Sequence, residues 1–517
     1  MIALSAAAYR YPGGSAIGPI DLTVAPGELV LLTGPTGCGK STLLRLAAGI
    51  LQRHGHGHGT GTVTVGGRDP GALVARDRVT MLGFVGQDPD DAVVAGSCAA
   101  ELAFGMESAG FAPARIGARV AELLARLDLT AVAERSPFAL SGGQRQRLVI
   151  GAALAAGAGA LLLDEPLSQL DPEGARAVMT LLRALADGGV AVLCVEHRLE
   201  IAMPFATRTV LMDRGRVVAD PLVGSAPLRA LGLHGPAIEE LRERTGADAW
   251  RARHTPLLAV QSMEYAIDTL IHSADVSFAW PRQPRCISDV SLQVRSGERV
   301  AVVGANGAGK STLLGLVSGR LRPSAGRVIR AGRCVEVPQN PDLSLFNETV
   351  DAELAYGPEE ARLSPAEVRA RVAAGAAALS VADLLARPPQ ALSRGQRLRT
   401  AVAAALTCAP RLLVLDEPTS GQDRDQVDRM LAALSANLRG GAVLFASHDL
   451  DVVLRHATRV VVLDHGRVVG DGAPLDTLRA AEASGLPLPL PPLAAVCAAL
   501  RLPYCDPATL AALVEPA

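Results

Sequence analysis

A nine-residue glycine-rich segment occurs twice in this chain of 517 residues, as GPTGCGKST at 34–42 and as GANGAGKST at 304–312. The two segments contain the only lysines, Lys40 and Lys310, although Lys and Arg together number 50. Lysine is a compact point charge on a flexible stem and arginine is a planar fork, so the two do not interchange inside a tight loop. A composition that uses arginine at every other cationic position and keeps lysine here predicts two nucleotide-phosphate sites.

Further motifs recur in the same order after each glycine-rich segment, so the chain is an internal duplication. A glutamine, a serine in an LSxGQ motif and the aspartate of a DE pair each recur after 252 residues, and a histidine recurs after 251. The two lysines are 270 residues apart, so the second repeat is 18 residues shorter between lysine and glutamine. The repeats predict domains at 1–220 and 263–473, a linker with one short helix at 221–262, and an appendix at 474–517.

Short apolar runs alternate with helical patterns within each repeat. In the first repeat a strand is predicted at 28–33, a helix at 41–50, and further strands at 160–163 and 190–195. The corresponding strands of the second repeat are predicted at 299–303, 412–415 and 442–446. Apolar runs of this length are typical of buried parallel strands. The sequence therefore predicts an α/β fold with a mostly parallel sheet in each domain.

Both glycine-rich segments match the phosphate-binding pattern G-x-x-x-x-G-K-[ST] in full, between a predicted strand and a predicted helix. Backbone N–H groups of such a loop surround the phosphates, and the helix N-terminus adds positive potential. The lysines are expected to reach the β- and γ-phosphates, and Ser41 and Ser311 to ligate Mg²⁺. The predicted nucleotide-binding residues are Gly34, Pro35, Thr36, Gly37, Cys38, Gly39, Lys40, Ser41 and Thr42, and Gly304, Ala305, Asn306, Gly307, Ala308, Gly309, Lys310, Ser311 and Thr312.

An acidic pair ends an apolar run in each repeat, in LLLDEP at 161–166 and in LVLDEP at 413–418. Asp164 and Asp416 are expected to orient Mg²⁺, directly or through water. Glu165 and Glu417 are placed to polarise the attacking water as general bases. The simpler interpretation of such a pair is an acidic turn exposed to solvent, and the phosphate loop in the same domain argues against it.

LSGGQ at 140–144 and LSRGQ at 392–396 each begin with a serine before a helical stretch, as helix N-caps do. The order of phosphate loop, glutamine, LSGGQ-type signature, DE pair and histidine resembles the nucleotide-binding domains of ABC ATPases, twice over. The resemblance implies a P-loop fold with an antiparallel β part and a helical signature subdomain, and ATP and Mg²⁺ as ligands. It also implies that two domains face each other head to tail, so that the signature of one closes over the ATP of the other.

The ABC resemblance also assigns roles to single residues. Gln87 and Gln339 would contact Mg²⁺ and take part in hydrolysis, and His197 and His448 would contact the γ-phosphate as the family's switch histidine. An aromatic residue upstream of each loop would stack on adenine, with ordinary packing as the alternative. The residues that complete the two composite sites are Tyr11, Ser393 and Gly395 at the Lys40 site, and Trp280, Ser141 and Gly143 at the Lys310 site.

Arg394 departs from the family pattern, because it replaces the first glycine of the second signature. A side chain then enters a crowded loop, and any conformation with positive φ becomes costly. We therefore expect the Lys40 site, which the second signature would cover, to be the slower of the two. Both repeats keep the glutamate, so no inactive site is expected.

The segments after each glutamine resemble the ATPases of energy-coupling factor (ECF) importers. These are GQDPDDAVVAGSCAAELAFG at 86–105 and PQNPDLSLFNETVDAELAYG at 338–357, and VEHR at 195–198 fits the same resemblance. The resemblance implies a groove for short helices of a transmembrane coupling subunit, a small substrate-binding membrane protein, and a place at the cytoplasmic face of the membrane. Tandem ATPases that the chain resembles serve uptake of thiamine precursors and of cobalt or nickel, and both stay open.

Two other functions are open to a chain of this kind. A tandem ABC ATPase that acts on ribosomes typically has a long, charged helical linker, whereas the linker here is short and not strongly basic. A tandem ATPase of a sugar importer typically has one degenerate site, whereas both DE pairs and both histidines are present here. The net charge of −2 and the pI near 6.6 give no polyanion-binding footprint, which argues against a nucleic-acid partner.

The remaining features point to no further site. The eight cysteines form no CxxC pair, so reduced thiols are expected and neither zinc nor a disulfide framework is indicated. HGHGHG at 54–59 is interpreted as a flexible insertion, with a metal site as the alternative. No apolar run reaches the roughly 20 residues that cross a bilayer, and no signal peptide is expected.

Overall fold

The structure of the chain is a computed structural model that describes residues 1–14, 16–54, 57–168, 170–231, 233, 236–252, 268–281, 285–419, 422, 424–438 and 440–516. The chain forms two compact units, Met1–Glu243 and Arg244–Ala517. Of the predicted linker at 221–262, the part from 253 onward lies outside the described residues.

The first unit combines a largely parallel sheet with a separate antiparallel sheet. Its strands are β1 (Ile2–Arg10), β2 (Ala16–Val24), β3 (Leu29–Thr33), β4 (His58–Val65), β5 (Leu82–Val85), β6 (Ala160–Asp164), β7 (Ala191–Val195), β8 (Arg208–Asp213) and β9 (Arg216–Ala219). The main sheet has the order β5-β6-β7-β3-β8-β9, in which only β9 runs antiparallel to its neighbour. The antiparallel sheet has the order β2-β1-β4.

Helices connect these strands and extend into the linker region. They are α1 (Lys40–Ala47), α2 (Ile50–His54), α3 (Ala75–Arg78), α4 (Cys98–Ser108), α5 (Pro113–Arg126), α6 (Gly142–Leu154), α7 (Pro172–Asp187), α8 (Leu199–Ala202), α9 (Ala226–Ala230) and α10 (Ala237–Thr245). Short 3₁₀ turns lie at Pro89–Ala92, Thr130–Val132, Pro137–Ala139 and Met203–Phe205. Helices α4, α5 and α6 pack on one another around Leu102, Leu124 and Leu148. They form the helical subdomain that carries the first signature.

The second unit repeats this architecture. Its strands are β10 (Trp250–Ala252), β11 (Thr269–Ala279), β12 (Arg285–Arg295), β13 (Arg299–Val303), β14 (Ala325–Arg330), β15 (Cys334–Val337), β16 (Leu412–Asp416), β17 (Ala442–Ala446), β18 (Arg459–Asp464), β19 (Arg467–Gly472) and β20 (Val514–Pro516). The main sheet has the order β15-β16-β17-β13-β18-β19, and the antiparallel sheet has the order β12-β11-β14. Strand β10 pairs with β20 near the end of the chain.

The helices of the second unit follow the same plan and continue into the appendix. They are α11 (Lys310–Ser318), α12 (Val350–Glu360), α13 (Pro365–Ala378), α14 (Arg394–Thr407), α15 (Arg424–Asn437), α16 (Leu450–His456), α17 (Pro474–Ala483), α18 (Pro492–Ala499) and α19 (Pro507–Leu513), with 3₁₀ turns at Pro341–Ser344, Ala382–Leu384 and Pro389–Ala391. The α/β fold with a mostly parallel sheet, an antiparallel β part and a helical subdomain in each half is thereby confirmed.

Two local predictions differ from the structure. The helix predicted at 41–50 ends at Ala47, because Gly49 adopts a left-handed backbone with φ of 72° and α2 starts afresh after it. The HGHGHG segment is not wholly a loop, since β4 begins at His58, which pairs with Arg10 of β1. His56 lies outside the described residues.

The predicted linker and the C-terminal appendix each contribute side chains to the core of a unit. In the linker region the structure has α9 in addition to the predicted short helix, and Leu228 joins the core formed by the main sheet and α7. In the C-terminal appendix Leu478, Leu488 and Ala494 are buried in the core of the second unit. The missed helix α9 has only five residues, which is too short for a periodic pattern to indicate it.

Candidate functional site

Each glycine-rich loop leads directly from a buried strand into a helix. All five residues of β3 are buried, and the loop after it ends in Gly39, the N-cap of α1, whose backbone is left-handed with φ of 106°. Gly309 has the same role before α11, with φ of 104°. A Cβ at Gly39 would lie 2.4 Å from the Ile17 side chain, so glycine is required by both backbone and space. The loops thus present their N–H groups at a helix N-terminus, as a phosphate site requires.

The two lysines are buried and held by their own loops. Lys40 Nζ donates to the carbonyl oxygens of Gly34 at 2.7 Å and Pro35 at 3.0 Å. Lys310 Nζ donates in the same way to Gly304 at 2.8 Å and Ala305 at 3.2 Å. These bonds fix each ammonium group inside the curve of its loop, where an anionic phosphate would be recognised.

The aspartate at the end of the DE strand meets the serine that follows each lysine. Ser41 Oγ donates to Asp164 Oδ1 at 3.0 Å. Burial, together with the neighbouring charge of Glu165, raises the pKa of Asp164 to about 6. In the second unit burial raises the pKa of Asp416 to about 6, and the neighbouring Ser311 hydroxyl opposes the rise. Asp416 Oδ1 is buried without a hydrogen-bond partner among the described residues. A buried carboxylate oxygen next to a hydroxyl is a donor set that fits Mg²⁺.

Both glutamates of the DE pairs have left-handed backbones, with φ of 51° at Glu165 and at Glu417. Each backbone N–H is held by the neighbouring strand, donating to Val195 at 3.0 Å or to Ala446 at 3.1 Å. Left-handed backbones are uncommon for residues other than glycine and persist where surrounding contacts fix them, often at functional sites. The conformation turns each carboxylate away from the strand direction and toward the histidine of the same unit.

In the first unit Glu165 lies between a glutamine and a histidine. Gln87 Nε2 donates to Glu165 Oε2 at 2.7 Å, and His197 Nε2 lies 3.2 Å from Glu165 Oε1. Burial alone would raise the pKa of Glu165, but His197, Lys40 and the Gln87 hydrogen bond bring the pKa below its ordinary value. Glu165 is therefore an ionised acceptor at neutral pH, in contact with two of the residues predicted to join it.

The second unit has the same histidine contact but lacks the glutamine contact. His448 Nδ1 lies 2.7 Å from Glu417 Oε2, and His448 with Lys310 brings the pKa of Glu417 below its ordinary value against the effect of burial. Gln339 is exposed and has no hydrogen-bond partner in the part of the chain that the structure describes. The structure therefore brings together every predicted acidic residue and histidine of the two sites, and only one of the two glutamines.

The two aromatic residues differ in position. Tyr11 is half-buried, packs edge-to-face on Tyr9, and its hydroxyl lies 3.4 Å from Thr42 Oγ1 of the phosphate loop. Trp280 is 38% exposed and packs edge-to-face on Phe278 at 5.1 Å between ring centroids. Stacking on adenine stays a prediction for both residues.

The signature serines begin the helices that the sequence indicates. Ser141 caps α6 and Ser393 caps α14, each in a capping box with the glutamine three residues later. Gly143 and Gly395 lie in the first turn of these helices. Neither serine is hydrogen-bonded to the described loop residues of its own unit, and their action on the opposite loop stays a prediction.

One reason given for a slower Lys40 site is wrong. Arg394 is the first residue of α14 and is not among the described residues with positive φ, so the arginine causes no backbone strain there. What distinguishes the second signature is therefore the arginine side chain itself.

Asp171, the aspartate before α7, caps that helix by accepting from the Gly174 N–H at 2.7 Å. The corresponding Asp423 lies outside the described residues.

Two buried glutamates that the sequence did not single out stabilise the segment after each glutamine. Glu101 and Glu353 lie in the first turns of α4 and α12 and are each 4% exposed. Their carboxylates accept backbone N–H groups from the loop six to seven residues upstream, between 2.8 and 3.0 Å. The repeated Glu-Leu-Ala in both halves is the signal that could have identified them.

None of the helices in the described part of the chain is long and apolar enough to cross a membrane. Within the same residues no cluster of three or more histidines, cysteines or acidic side chains is arranged to hold a metal ion.

The chain is similar to known proteins over most of its length. The family model for ABC transporters matches residues 17–168 and 287–420. A putative ABC transporter ATP-binding protein of Methanosarcina mazei is 34% identical over 91% of this chain and 88% of its own length. One of Streptomyces avermitilis is 35% identical over 88% of this chain and 90% of its own.

A solved structure shares the tandem arrangement. The archaeal ribosome recycling factor aABCE1, in complex with the ribosomal stalk protein aP1, aligns with a TM-score of 0.60 over 92% of both chains, at 21% identity. At that identity the likeness shows the fold alone. The family match in both halves and the relatives that share nearly the full length together show that the chain belongs to the ABC transporter ATP-binding family, as a tandem ABC ATPase.

Proposed function

We propose that the chain is the ATP-hydrolysing subunit of an ECF-type importer of a micronutrient, a vitamin or a metal ion. It would act through two composite ATP sites and a separate transmembrane coupling subunit, which would hold it at the cytoplasmic face of the membrane. The observation that carries the proposal is a set of exposed apolar side chains in each unit, most of them in the segment after the glutamine. We call it the post-glutamine patch, formed by Val94, Phe104 and Phe138 in the first unit and by Leu343, Phe346 and Tyr356 in the second.

The residues of each unit suit ATP hydrolysis. Lys40 and Lys310 would bind the phosphates, and Glu165 and Glu417 would polarise the attacking water. Mg²⁺ would be held by Ser41, Asp164 and Gln87 in one site and by Ser311 and Asp416 in the other. Gln339, which is exposed, would join that second set only after a change of side-chain position. When bound, the ion neutralises negative charge on the phosphate oxygens. The contacts of His197 and His448 with the glutamates restrict the orientation of each carboxylate.

The patch of the first unit is exposed although the loop beneath it is firmly held. Val94 is 63% exposed, Phe104 is 50% exposed and Phe138 is 60% exposed. The Val94 N–H donates to the buried carboxylate of Glu101 at 3.0 Å. Apolar side chains on a rigid, hydrogen-bonded loop at the surface are typical of a protein interface. A partner can therefore dock on this patch without having to order the loop that carries it.

The patch of the second unit has a different composition. Leu343 is 77% exposed, and the rings of Phe346 and Tyr356 pack edge-to-face at 4.9 Å while both remain exposed. Leu343 corresponds to Asp91 of the first unit, and Phe346 corresponds to Val94. Two patches of different composition suit a coupling subunit that offers two different helices.

The short 3₁₀ turn after the glutamine in each unit is joined to the signature helix of that unit by an ion pair. Arg145 of α6 contacts Asp90 at 2.6 Å, and Arg397 of α14 contacts Asp342 at 2.8 Å. The ABC resemblance implies that the signature helices close over ATP. These ion pairs would then link the ATP sites to a docked partner. ATP binding would thus move the partner by moving the patch.

The ECF assignment rests on the sequence of the patch segments and of VEHR at 195–198, and the relatives named as ABC transporter ATP-binding proteins support a transport role. The alternatives are action on ribosomes and a sugar importer. The likeness to a ribosome recycling factor concerns the fold alone, and two intact DE pairs do not suit a sugar importer with a degenerate site.

Arg394 gives a prediction about the Lys40 site. Replacing Arg394 with glycine restores the usual signature and removes a side chain from the predicted contact with ATP. We expect Arg394→Gly to raise ATP turnover by about threefold, which corresponds to about 0.6 kcal/mol in the barrier. Steady-state phosphate release measures the change. Equal loss of activity in Glu165→Gln and Glu417→Gln, or no gain in Arg394→Gly, would show that the two sites are equivalent.

The proposal is tested by affinity purification of the chain from membranes of its host in mild detergent, with mass spectrometry of what co-purifies. A polytopic membrane protein together with a small integral membrane protein is expected. Ribosomal proteins in their place would overturn the proposal and favour the ribosomal alternative. As a control, Phe104→Glu combined with Tyr356→Glu charges both patches, and this variant should lose the membrane partners while it retains ATP binding.

A further inference from the structure

A buried charged residue in the first unit connects the segment after His197 to the segment after Glu165. Glu196 is 1% exposed and accepts three backbone N–H groups. Oε1 accepts from His197 at 2.8 Å and from Arg198 at 3.0 Å, and Oε2 accepts from Leu167 at 3.1 Å. A buried carboxylate persists only where such donors compensate the loss of water. Glu196 therefore holds two chain segments at one point.

Arg198 strengthens the same connection from the other side. Its Nη1 donates to the carbonyl oxygens of Leu167 at 3.0 Å and Leu170 at 2.7 Å. Leu167 is thus bound at both its N–H and its C=O by the two residues that flank His197. Since Leu167 is two residues after Glu165 and Leu170 directly precedes Asp171, the connection reaches both the first and the last of these positions.

The second unit joins the same segments with hydroxyl groups. Ser447 Oγ lies 3.3 Å from Thr419 Oγ1 and accepts the Asp449 N–H at 3.0 Å. Asp449 caps α16 by accepting from Asp451 and Val452, at 3.1 and 3.2 Å. The position of Glu196 is taken there by a hydroxyl group, and a charged contact lies further along, where Arg424 at the start of α15 pairs with Asp451 at 3.6 Å. His448 is held against Glu417 at 2.7 Å.

The residues concerned differ between the units as a complete set. Leu167, Glu196 and Arg198 of the first unit correspond to Thr419, Ser447 and Asp449 of the second. A serine at position 196 would be too short to accept the Leu167 N–H that Glu196 accepts. It would also find no hydroxyl group opposite it, because leucine has none. Each set is self-consistent, and mixing the two leaves buried N–H groups without an acceptor, which destabilises the connection.

We propose that Glu196 and Arg198 are positioning residues for ATP hydrolysis at the first unit's site, fixing His197 against Glu165 and the loop Leu167–Leu170 relative to both. The proposal rests on the roles assigned to Glu165 and His197 and does not depend on the membrane partner. The first site is then joined to the loop that precedes Asp171 through a buried carboxylate and a guanidinium group, whereas the corresponding positions of the second site carry hydroxyl groups and the Asp449 cap.

The test compares one variant that breaks the set with one that exchanges it completely, each in the full-length chain. Glu196→Ser should increase hydrogen exchange of the backbone at 167–170 and 196–199. In a Glu417→Gln background, which leaves Glu165 as the remaining general base, it should lower kcat about tenfold and change the KM for ATP less than about twofold. Leu167→Thr, Glu196→Ser and Arg198→Asp together should restore both the exchange protection and most of kcat.

Glu240→Ser is the matched control, because Glu240 is a buried glutamate of the same unit in α10, outside the site. It should lower thermal stability without changing kcat. The proposal is overturned if Glu196→Ser leaves exchange at 167–170 unchanged, or if the triple exchange is as impaired as the single variant. If the Glu417→Gln background hydrolyses no ATP, the two ATP sites do not hydrolyse independently. Hydrogen exchange at 167–170 then still tests whether Glu196 holds this segment in place.

Discussion

Glu165→Gln combined with Glu417→Gln is expected to lower ATP turnover at least about 100-fold, because an amide cannot take a proton from the attacking water. ATP binding should survive, since glutamine keeps the shape and one acceptor oxygen, and the hydrogen bonds of Lys40 and Lys310 to their loops are unaffected. Steady-state phosphate release and equilibrium binding of a fluorescent ATP analogue measure the two properties separately.

The control for this variant is Glu122→Gln, the same chemical change on the exposed face of α5, where Glu122 is 55% exposed and pairs only with Arg119 in the described residues. Exposed ion pairs contribute little, so turnover should stay at the wild-type level. Turnover above about a tenth of wild type in the double glutamine variant would mean that neither glutamate is the general base.

Asp164→Asn combined with Asp416→Asn is expected to abolish Mg²⁺-dependent hydrolysis and, at the same time, to stabilise the nucleotide-free chain. Burial raises the pKa of each aspartate from 3.8 to about 6, so the folded state resists its charged form. At pH 8 both aspartates are ionised, and each costs up to about 3 kcal/mol of stability relative to a neutral side chain. Asparagine removes this cost and keeps an oxygen for the Ser41 hydroxyl.

The sign of the pH dependence follows from the raised pKa. Stability contributed by a protonated aspartate is complete below the unfolded-state pKa and is lost as the pH rises through about 6. In EDTA the double asparagine variant should therefore unfold at a higher temperature than wild type at pH 8, and the difference should shrink at pH 5. A variant less stable than wild type at pH 8 would contradict the assignment. Addition of Mg²⁺ and ATP should stabilise wild type more than the variant, which keeps its phosphate loops but lacks the carboxylates for the ion.

The sequence predicted those parts of the site that lie in contiguous motifs. The glycine loops, the DE pairs and the two histidines fall where their spacing indicates, because each motif follows a strand whose apolar residues place it in the sheet. The α/β fold of both halves was predictable for the same reason.

Other features depend on contacts between distant residues, which no local pattern indicates. Gln87 bonds to Glu165 whereas Gln339 is exposed, although both follow a strand at the same register. Arg394 begins a helix with ordinary backbone, whereas its place in a glycine motif suggested strain. The bridge from Glu196 to Leu167 spans 29 positions and appears only when two loops meet.

The central claim is that one chain contains two ATP sites, and the most direct test is to count ATP. The Glu165→Gln and Glu417→Gln double variant is incubated with radiolabelled ATP and Mg²⁺, freed of unbound nucleotide, and assayed for ATP retained per chain. Two molecules of ATP per chain are expected, falling to one when either Lys40 or Lys310 is replaced by alanine. Retention of only one ATP, or loss of both on replacing a single lysine, would contradict two separate phosphate-binding loops.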